Sequence, residues 1–234
     1  MSLKRKEDIQ CPKCGKTNEY TFWASINTET DPEMKEQVKS GEAFIFTCPD
    51  CGAKMMINAD MLYHDRENRL LIHYCASEES YYEVSKMLNG EFDQSAEDEE
   101  ILQKILTANE MDSYIKRIVT TQNQIREKIV IFEAGLDDRV IEFAKAMVMT
   151  NLMKDVEGMD FEEVLFNIQP DGSYAFEIIN TKESLGIVPF KKELYDDCKA
   201  KFGSTLCDIR RDEFTINLEW VLRKVQSQHG GPVS

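Results

Sequence analysis

The pentapeptide Cys-Pro-x-Cys-Gly occurs twice in the first quarter of the chain, at residues 11–15 and 48–52. Proline fixes φ before the second cysteine, and glycine after it tolerates positive φ, so each copy is predicted to form a tight turn that presents two thiolates. A structural zinc ion takes four ligands in a closed tetrahedron. The two turns together supply that number, which predicts one structural zinc ion held by Cys11, Cys14, Cys48 and Cys51.

The spacing between the two turns departs from that of a common zinc ribbon. Cys14 and Cys48 are separated by 33 residues, against roughly 15–20 in the usual pattern. A predicted strand (20–26), helix (32–40) and strand (43–47) account for the excess, so the ribbon is elaborated. The helix is predicted to begin at an Asp31 cap and to end at Gly41. Iron held by the same four thiolates is the alternative, and it would make the protein an electron carrier.

Composition and charge favour some classes of partner over others. The net charge is −15, and residues 76–114 carry eleven acidic and two basic side chains. Such a chain repels phosphate backbones, which makes nucleic acid an unlikely partner and leaves protein as the expected one. No apolar run approaches the ~20 residues of a membrane span, so no membrane partner is expected. The charged start of the chain does not resemble a signal peptide. The odd number of cysteines, seven, argues against a set of disulfides. Together these observations predict a cytoplasmic protein.

The pattern of the elements predicts an α+β fold with two parts. An elaborated zinc-ribbon-like module is expected at residues 8–90, an acidic linker or loop at 91–98, and a helix-rich α+β body at 99–228. The body should contain helices at 121–132 and 190–202, and a β-hairpin around the Gln-Pro-Asp-Gly-Ser turn at 169–173. Residues 143–149 are apolar nearly all round a helix, which predicts a core position or, alternatively, a homodimer interface.

A few other side chains are candidates for chemistry outside the cysteine turns. His64 and Asp65 are adjacent and could form a base oriented by a carboxylate, although packing and capping are the simpler interpretation. His73 and Cys75 share a strand face and lack evident further ligands. Cys198 and Cys207 are expected to be buried thiols or bystanders.

The two acids at the start of a predicted helix have two interpretations. Asp137 and Asp138 are predicted to cap that helix and complement its dipole. A divalent-cation site is the alternative.

The chain resembles the bacterial CpXC family, which is named for its Cys-Pro-x-Cys pairs. The resemblance covers roughly residues 8–130 and implies a zinc-ribbon-like module with four cysteine ligands and no reaction. It rests on the segments 11–15, 22–27, 40–42, 46–52, 63–65 and 71–74, together with Glu-Lys-Ile-Val-Ile-Phe-Glu-Ala-Gly-Leu-Asp-Asp-Arg at 127–139.

Three functions remain open at this point, and a non-catalytic protein-interaction module with a structural zinc ion is the leading one. An enzyme with a groove between ribbon and body is the first alternative, using His64 and Asp65, with Asp137 or Asp138. A nucleic-acid-binding ribbon is the second, and it would need a basic face built from Lys4, Arg5, Lys6, Lys13 and Lys16.

Overall fold

The structure is a computed structural model that describes residues 2–91, 112–155, 161–180, 183–211 and 213–228. The chain divides into two compact units, Met1–Arg126 and Glu127–Ser234. It has the predicted α+β fold, with a zinc-ribbon-like module near its start and a body that contains a β-hairpin. The predicted linker at 91–98 lies, apart from its first residue, outside the described residues, and the domain boundaries stay a prediction.

The first unit is built around a five-stranded mixed sheet. The strands lie in the order β1-β2-β5-β6-β7, with antiparallel pairing in β1–β2 and β5–β6 and parallel pairing in β2–β5 and β6–β7. Their bounds are β1 Leu3–Gln10, β2 Thr17–Asn27, β5 Met61–Asp65, β6 Leu70–Tyr74 and β7 Ile115–Val119. Every residue of β6 is buried, which is why its sequence, Leu-Leu-Ile-His-Tyr, is nearly continuous in hydrophobicity.

A second, two-stranded sheet completes the strand set described for this unit. It consists of β3 (Ile45–Thr47) and β4 (Lys54–Met56), which pair antiparallel. Helix α1 (Glu33–Ser40) lies between β2 and β3 in the chain, and α2 (Glu78–Leu88) follows β6. The insertion predicted between the cysteine turns therefore consists of the end of β2, α1 and the strand β3.

The start of α1 differs from the prediction. Asp31 was expected to cap the helix with its side chain, but the N-cap position is Pro32 and no side chain caps it. The Asp31 carboxylate instead accepts hydrogen bonds from the hydroxyls of Ser2, at 2.6 Å, and Thr30, at 2.9 Å. The other end follows the prediction, because Gly41 adopts φ +84° and donates its amide to the Val38 carbonyl.

The second unit combines a three-stranded antiparallel sheet with helices. Strands β8 (Glu163–Ile168), β9 (Tyr174–Ile179) and β10 (Ser184–Phe190) form a meander, of which β8 and β9 are the predicted hairpin. Helix α3 (Gln122–Glu133) leads into this unit, and α4 (Asp138–Asp155), α5 (Lys192–Phe202) and α6 (Leu218–Gln228) belong to it. The predicted helix at 190–202 begins later than expected because Phe190 completes β10 opposite Tyr174.

The core of the second unit gathers aromatic side chains from the sheet and the helices. Phe143 of α4 stacks on Phe202 of α5 at 4.1 Å and meets Trp220 of α6 edge-on at 5.5 Å. The apolar stripe at 143–149 was predicted to be buried nearly all round, and Phe143 and Ala144 are buried, whereas Met147 is 42% exposed. Within the described part of the chain, no helix combines the length and hydrophobicity of a membrane span.

Candidate metal centre

Four cysteine side chains from two hairpin turns converge on one point in the first unit. The Sγ atoms of Cys11 and Cys51 lie 3.7 Å apart, as do those of Cys14 and Cys48. All four sulfurs lie within 4.8 Å of one another. Zinc–sulfur bonds of about 2.3 Å in a tetrahedron require sulfurs about 3.8 Å apart. The cluster therefore has the donor set and the dimensions of a four-thiolate metal site.

The two turns have the same backbone geometry. In the first, the Cys11 amide donates to the Lys16 carbonyl at 2.9 Å and the Gly15 amide donates to the Cys11 carbonyl at 2.8 Å. In the second, Cys48 and Gly52 make the corresponding bonds, to Ala53 and Cys48, at 2.8 and 2.9 Å. Each turn joins the two strands of a hairpin, β1–β2 in one case and β3–β4 in the other. Strand pairing therefore fixes both pairs of sulfurs.

Side chains around the cluster connect one turn to the other. The Nδ2 of Asn18, on β2, lies 3.8 Å from the Cys48 sulfur and 3.2 Å from Asp50 Oδ2, so it donates across to the second turn. Lys16, just after the first turn, forms an ion pair of 2.6 Å with Asp50. Beneath the turns, Phe46 is buried against Cys11 and Cys48.

The proton affinities of the thiols explain why this cluster suits a cation. The backbone amide of Cys14 hydrogen-bonds to the Cys11 sulfur and lowers the pKa of Cys11 to about 7. For Cys14 the amide of Lys16 acts in the same direction, but loss of water and the three neighbouring sulfurs raise its pKa to about 12. Four adjacent thiolates therefore need a positive ion among them at neutral pH, which fits a soft divalent metal.

An aromatic groove lies close to the cluster in the same unit. It is shallow and open, and it is lined by Tyr20, Phe22, Trp23, Ala43, Phe44, Ile57, Ala59 and Met61. Tyr20 connects the groove to the cysteine turns, because its ring lies edge-on to Phe22 at 4.9 Å and to the buried Phe46 at 5.5 Å. The ammonium of Lys4 lies 4.0 Å from the centre of the Trp23 ring. Strand β2 thus places Asn18 beside the cysteine turns and Tyr20, Phe22 and Trp23 along the groove.

His64 and Asp65 do not form a histidine–carboxylate pair. They are consecutive residues of β5 and point to opposite faces of the sheet. His64 Nε2 lies 3.0 Å from the Tyr114 hydroxyl, and burial lowers the pKa of this histidine. Burial alone would raise the pKa of Asp65, but hydrogen bonds from Asn68 and the ammonium of Lys35, 3.0 Å away, lower it. Both side chains are engaged in bonds that hold the sheet to its surroundings.

The remaining candidate thiols and the second histidine lie apart from the cluster. His73 is buried, and its pKa falls to about 4 because of that burial and the nearby charge of Lys116. Burial raises the pKa of Cys75 to about 11. In the second unit, Cys198 is buried with its sulfur 3.6 Å from that of Met147, whereas Cys207 is exposed. Among the described residues, the four turn cysteines are the one group of three or more potential ligands placed to share an ion.

The two acids at the start of α4 have different roles. The Asp137 carboxylate accepts hydrogen bonds from the Arg139 amide at 3.0 Å and from its guanidinium at 2.8 Å, which is the predicted cap. Asp138 is fully buried and forms an ion pair with Lys128 at 2.9 Å, which the sequence did not predict.

Asp138 belongs to a network of five buried charged side chains on α3 and α4. Lys128 also contacts Glu142 at 3.3 Å, and Lys145 contacts Glu127 at 2.9 Å and Glu142 at 3.2 Å. Backbone groups complete the network, since the Phe166 amide donates to Glu127 and Lys128 donates to the Ile216 carbonyl. In the sequence, the network is indicated only by charged residues that interrupt the apolar faces of α3 and α4.

Fold and site together define a class: an α+β protein in which two Cys-Pro-x-Cys hairpins form a four-cysteine cluster that could bind a metal ion. The family described as CpXC protein matches residues 9–145, more than half of the chain, so the chain belongs to the CpXC family. The match ends at Lys145 and thus covers the cysteine turns and all five charged side chains of the buried network. No curated protein and no solved structure matches the chain.

Proposed function

We propose that this protein is a non-catalytic protein-interaction module whose first unit is held in shape by one structural zinc ion. The observation that carries the proposal is the convergence of four cysteine sulfurs, within 4.8 Å of one another, from two hairpins of matching geometry. Cys11, Cys14, Cys48 and Cys51 would be the four ligands. A shell of four thiolates leaves no open position for substrate or water, which is typical of structural rather than catalytic zinc.

The aromatic groove beside the cluster is the surface that best supports an interaction role. Tyr20, Phe22 and Trp23 are all half-buried, so each offers ring area to a partner. Tryptophan and tyrosine side chains in such pockets carry a large share of the binding free energy at protein interfaces. Because Tyr20 packs on Phe46 beneath the cysteine turns, the metal would keep the groove in shape.

The enzyme alternative has weaker support. His64 and Asp65 lie on opposite faces of β5, and each is bonded to a different neighbour. The nucleic-acid alternative is opposed by the net charge of −15. Its basic residues also have acidic neighbours, since Lys6 pairs with Glu19 and Lys16 with Asp50.

The cytoplasm is the compartment that we propose for this module. None of the seven cysteines, all of which lie among the described residues, is in a disulfide, which suits a reducing compartment in which thiolates bind metals.

Affinity capture with matched variants tests the interaction role. We expect Trp23→Ala to lose a partner that the unmodified protein captures, while its metal content stays unchanged. Leu222→Ala, at an apolar side chain of α6 that is 52% exposed, is the control and should capture the same partner. Identical captured proteins for all three forms would contradict the proposal, as would hydrolytic or transfer activity that depends on His64 or Asp65.

A further inference from the structure

Strand β1 is an edge of the five-stranded sheet, and it presents an open row of backbone groups. It pairs with β2 on one side only. Seven of its eight residues are exposed. From Lys4 to Gln10 its register with β2 is uninterrupted, so no bulge of the kind that often protects an edge occurs over these residues. Open edges of this length normally pair with something or carry features that prevent pairing.

The charges along β1 are self-complementary when the strand is reversed. The sequence from Leu3 to Ile9 is Leu-Lys-Arg-Lys-Glu-Asp-Ile, with basic residues before the midpoint and acidic residues after it. If a second copy lies antiparallel with Lys6 opposite Lys6, then Lys4 faces Asp8 and Arg5 faces Glu7. The two-fold symmetry makes each pair occur twice, which gives four ion pairs.

The geometry of a two-fold axis allows this register. In an antiparallel pair related by a two-fold axis, opposite residues must point to the same face, so their numbers must sum to an even value. The pairs 4 with 8 and 5 with 7 meet this condition. Shifting the register by one step in one direction places Arg5 opposite Arg5. Shifting it by one step in the other direction places Glu7 opposite Glu7 and Arg5 opposite Ile9. The register centred on Lys6 thus makes the most complementary pairs.

The side chains required for pairing are available. Among the described residues, none forms an ion pair with Arg5, Glu7 or Asp8. The Lys6 charge at the axis is already balanced by Glu19 of the same chain, at 2.6 Å, which reduces repulsion between the two copies of Lys6. Lys4 is half exposed, and its ammonium lies 3.6 Å from Asp31 and 4.0 Å from the centre of the Trp23 ring, so pairing with Asp8 of the other copy would replace these two contacts.

We propose that two copies of this chain form a homodimer by antiparallel pairing of their β1 strands, with Lys6 opposite Lys6. The two five-stranded sheets become one continuous sheet of ten strands. Lysines on an edge strand usually discourage pairing with other chains. In this chain the acidic half of β1 provides ion-pair partners for the basic half, so the strand favours pairing with another copy of the same chain. The inference is independent of the proposed function, because the pairing requires neither a bound metal nor a partner in the groove.

Charge reversal tests the dimer on the full chain by sedimentation velocity. The unmodified protein should be dimeric at roughly 100 µM, where even a weak dimer is populated. Lys4→Glu/Arg5→Glu alone and Glu7→Lys/Asp8→Lys alone should each be monomeric at that concentration, because like charges then face each other. An equimolar mixture of the two variants should form a heterodimer, because all four positions again pair opposite charges, two of them with reversed signs and two with the original side chains.

The control is Arg223→Glu, a charge reversal at an exposed site on α6, and it should dimerise like the unmodified protein. Circular dichroism and metal content should match among all forms, which separates lost pairing from lost folding. A monomeric unmodified protein would overturn the proposal, as would charge-reversed variants that dimerise alone or a mixture that stays monomeric.

Discussion

Gly15 and Gly52 occupy the same position in the two cysteine turns, with φ of +73° and +69°. Each follows the second cysteine of its turn and donates its amide to the carbonyl of the first cysteine. A side chain at either position would meet no atom within 4 Å, so space does not explain the glycine. The left-handed backbone conformation alone explains the glycine, because residues with a Cβ adopt positive φ only at a cost in free energy.

Replacing either glycine should therefore destabilise the metal-bound module through backbone strain. We expect Gly52→Ala to lower the free energy of unfolding by about 1–2 kcal/mol, and Gly52→Asn to lower it less, because asparagine tolerates positive φ. The measurement is the urea midpoint at which metal is released to a colorimetric chelator. Gly186→Ala, at a glycine without positive φ and with equal space around it, is the control. Equal midpoints for Gly52→Ala and the unmodified protein would contradict the account.

Asn18 should tune metal retention without being a ligand. Its amide donates toward the Cys48 sulfur and to Asp50, so it orients the second turn and balances thiolate charge. Loss of such outer-shell partners typically costs 10–100-fold in metal affinity. We expect Asn18→Ala to weaken metal binding at least about tenfold in competition with a chelator.

Lys16→Ala is the comparison for Asn18, since it removes only the ion pair of Lys16 with Asp50. The Lys16 side chain is 64% exposed, and exposed pairs contribute little. A Lys16→Ala effect as large as that of Asn18→Ala would show that the asparagine has no special role.

The Lys128–Asp138 ion pair should be one of the most sensitive points of the second unit. Lys128→Met would remove the ammonium that lies 2.9 Å from the buried Asp138, while Glu142 would keep its contact with Lys145. Removal of one partner of a buried ion pair typically costs about 3–5 kcal/mol. Urea unfolding followed by circular dichroism measures the loss. Arg223→Met breaks an exposed pair with Glu219 and should change stability by less than about 1 kcal/mol. Similar small effects of both substitutions would mean that the network around Lys128 admits water.

His73 should make the first unit less stable in mild acid. Its pKa falls from the ordinary 6.5 to about 4 in the folded chain, so between these values the unfolded chain binds the proton more readily. Stability is then lost as pH falls through that window and is fully present above pH 6.5. Between pH 7.5 and 5.5 the loss from this residue should be roughly 1 kcal/mol.

His73→Gln should remove this part of the pH dependence, measured by urea unfolding of the metal-loaded protein at both pH values. An unchanged pH dependence in His73→Gln would place the acid sensitivity on other groups.

The cysteine turns were predictable because their chemistry is local. Proline and glycine fix each turn within five residues, and the predicted hairpin at 163–179 rests on the same kind of signal. Strand β1 was missed because its side chains are almost all exposed and charged, so it lacks the alternation that marks a half-buried strand. Strand β10 was missed because Gly186 and Pro189 usually interrupt strands. The role of Asp138 was misjudged because its partner, Lys128, is supplied by tertiary contacts that no local pattern encodes.

The central claim is that one structural zinc ion joins the two cysteine hairpins. Elemental analysis of native protein, combined with a thiol count before and after chelation, tests it most directly. The account predicts one zinc per chain, four thiols that react only after the metal is removed, and no zinc in Cys14→Ser, while Cys207→Ser retains it. Iron in native protein, a second metal, or four reactive thiols before chelation would contradict the claim.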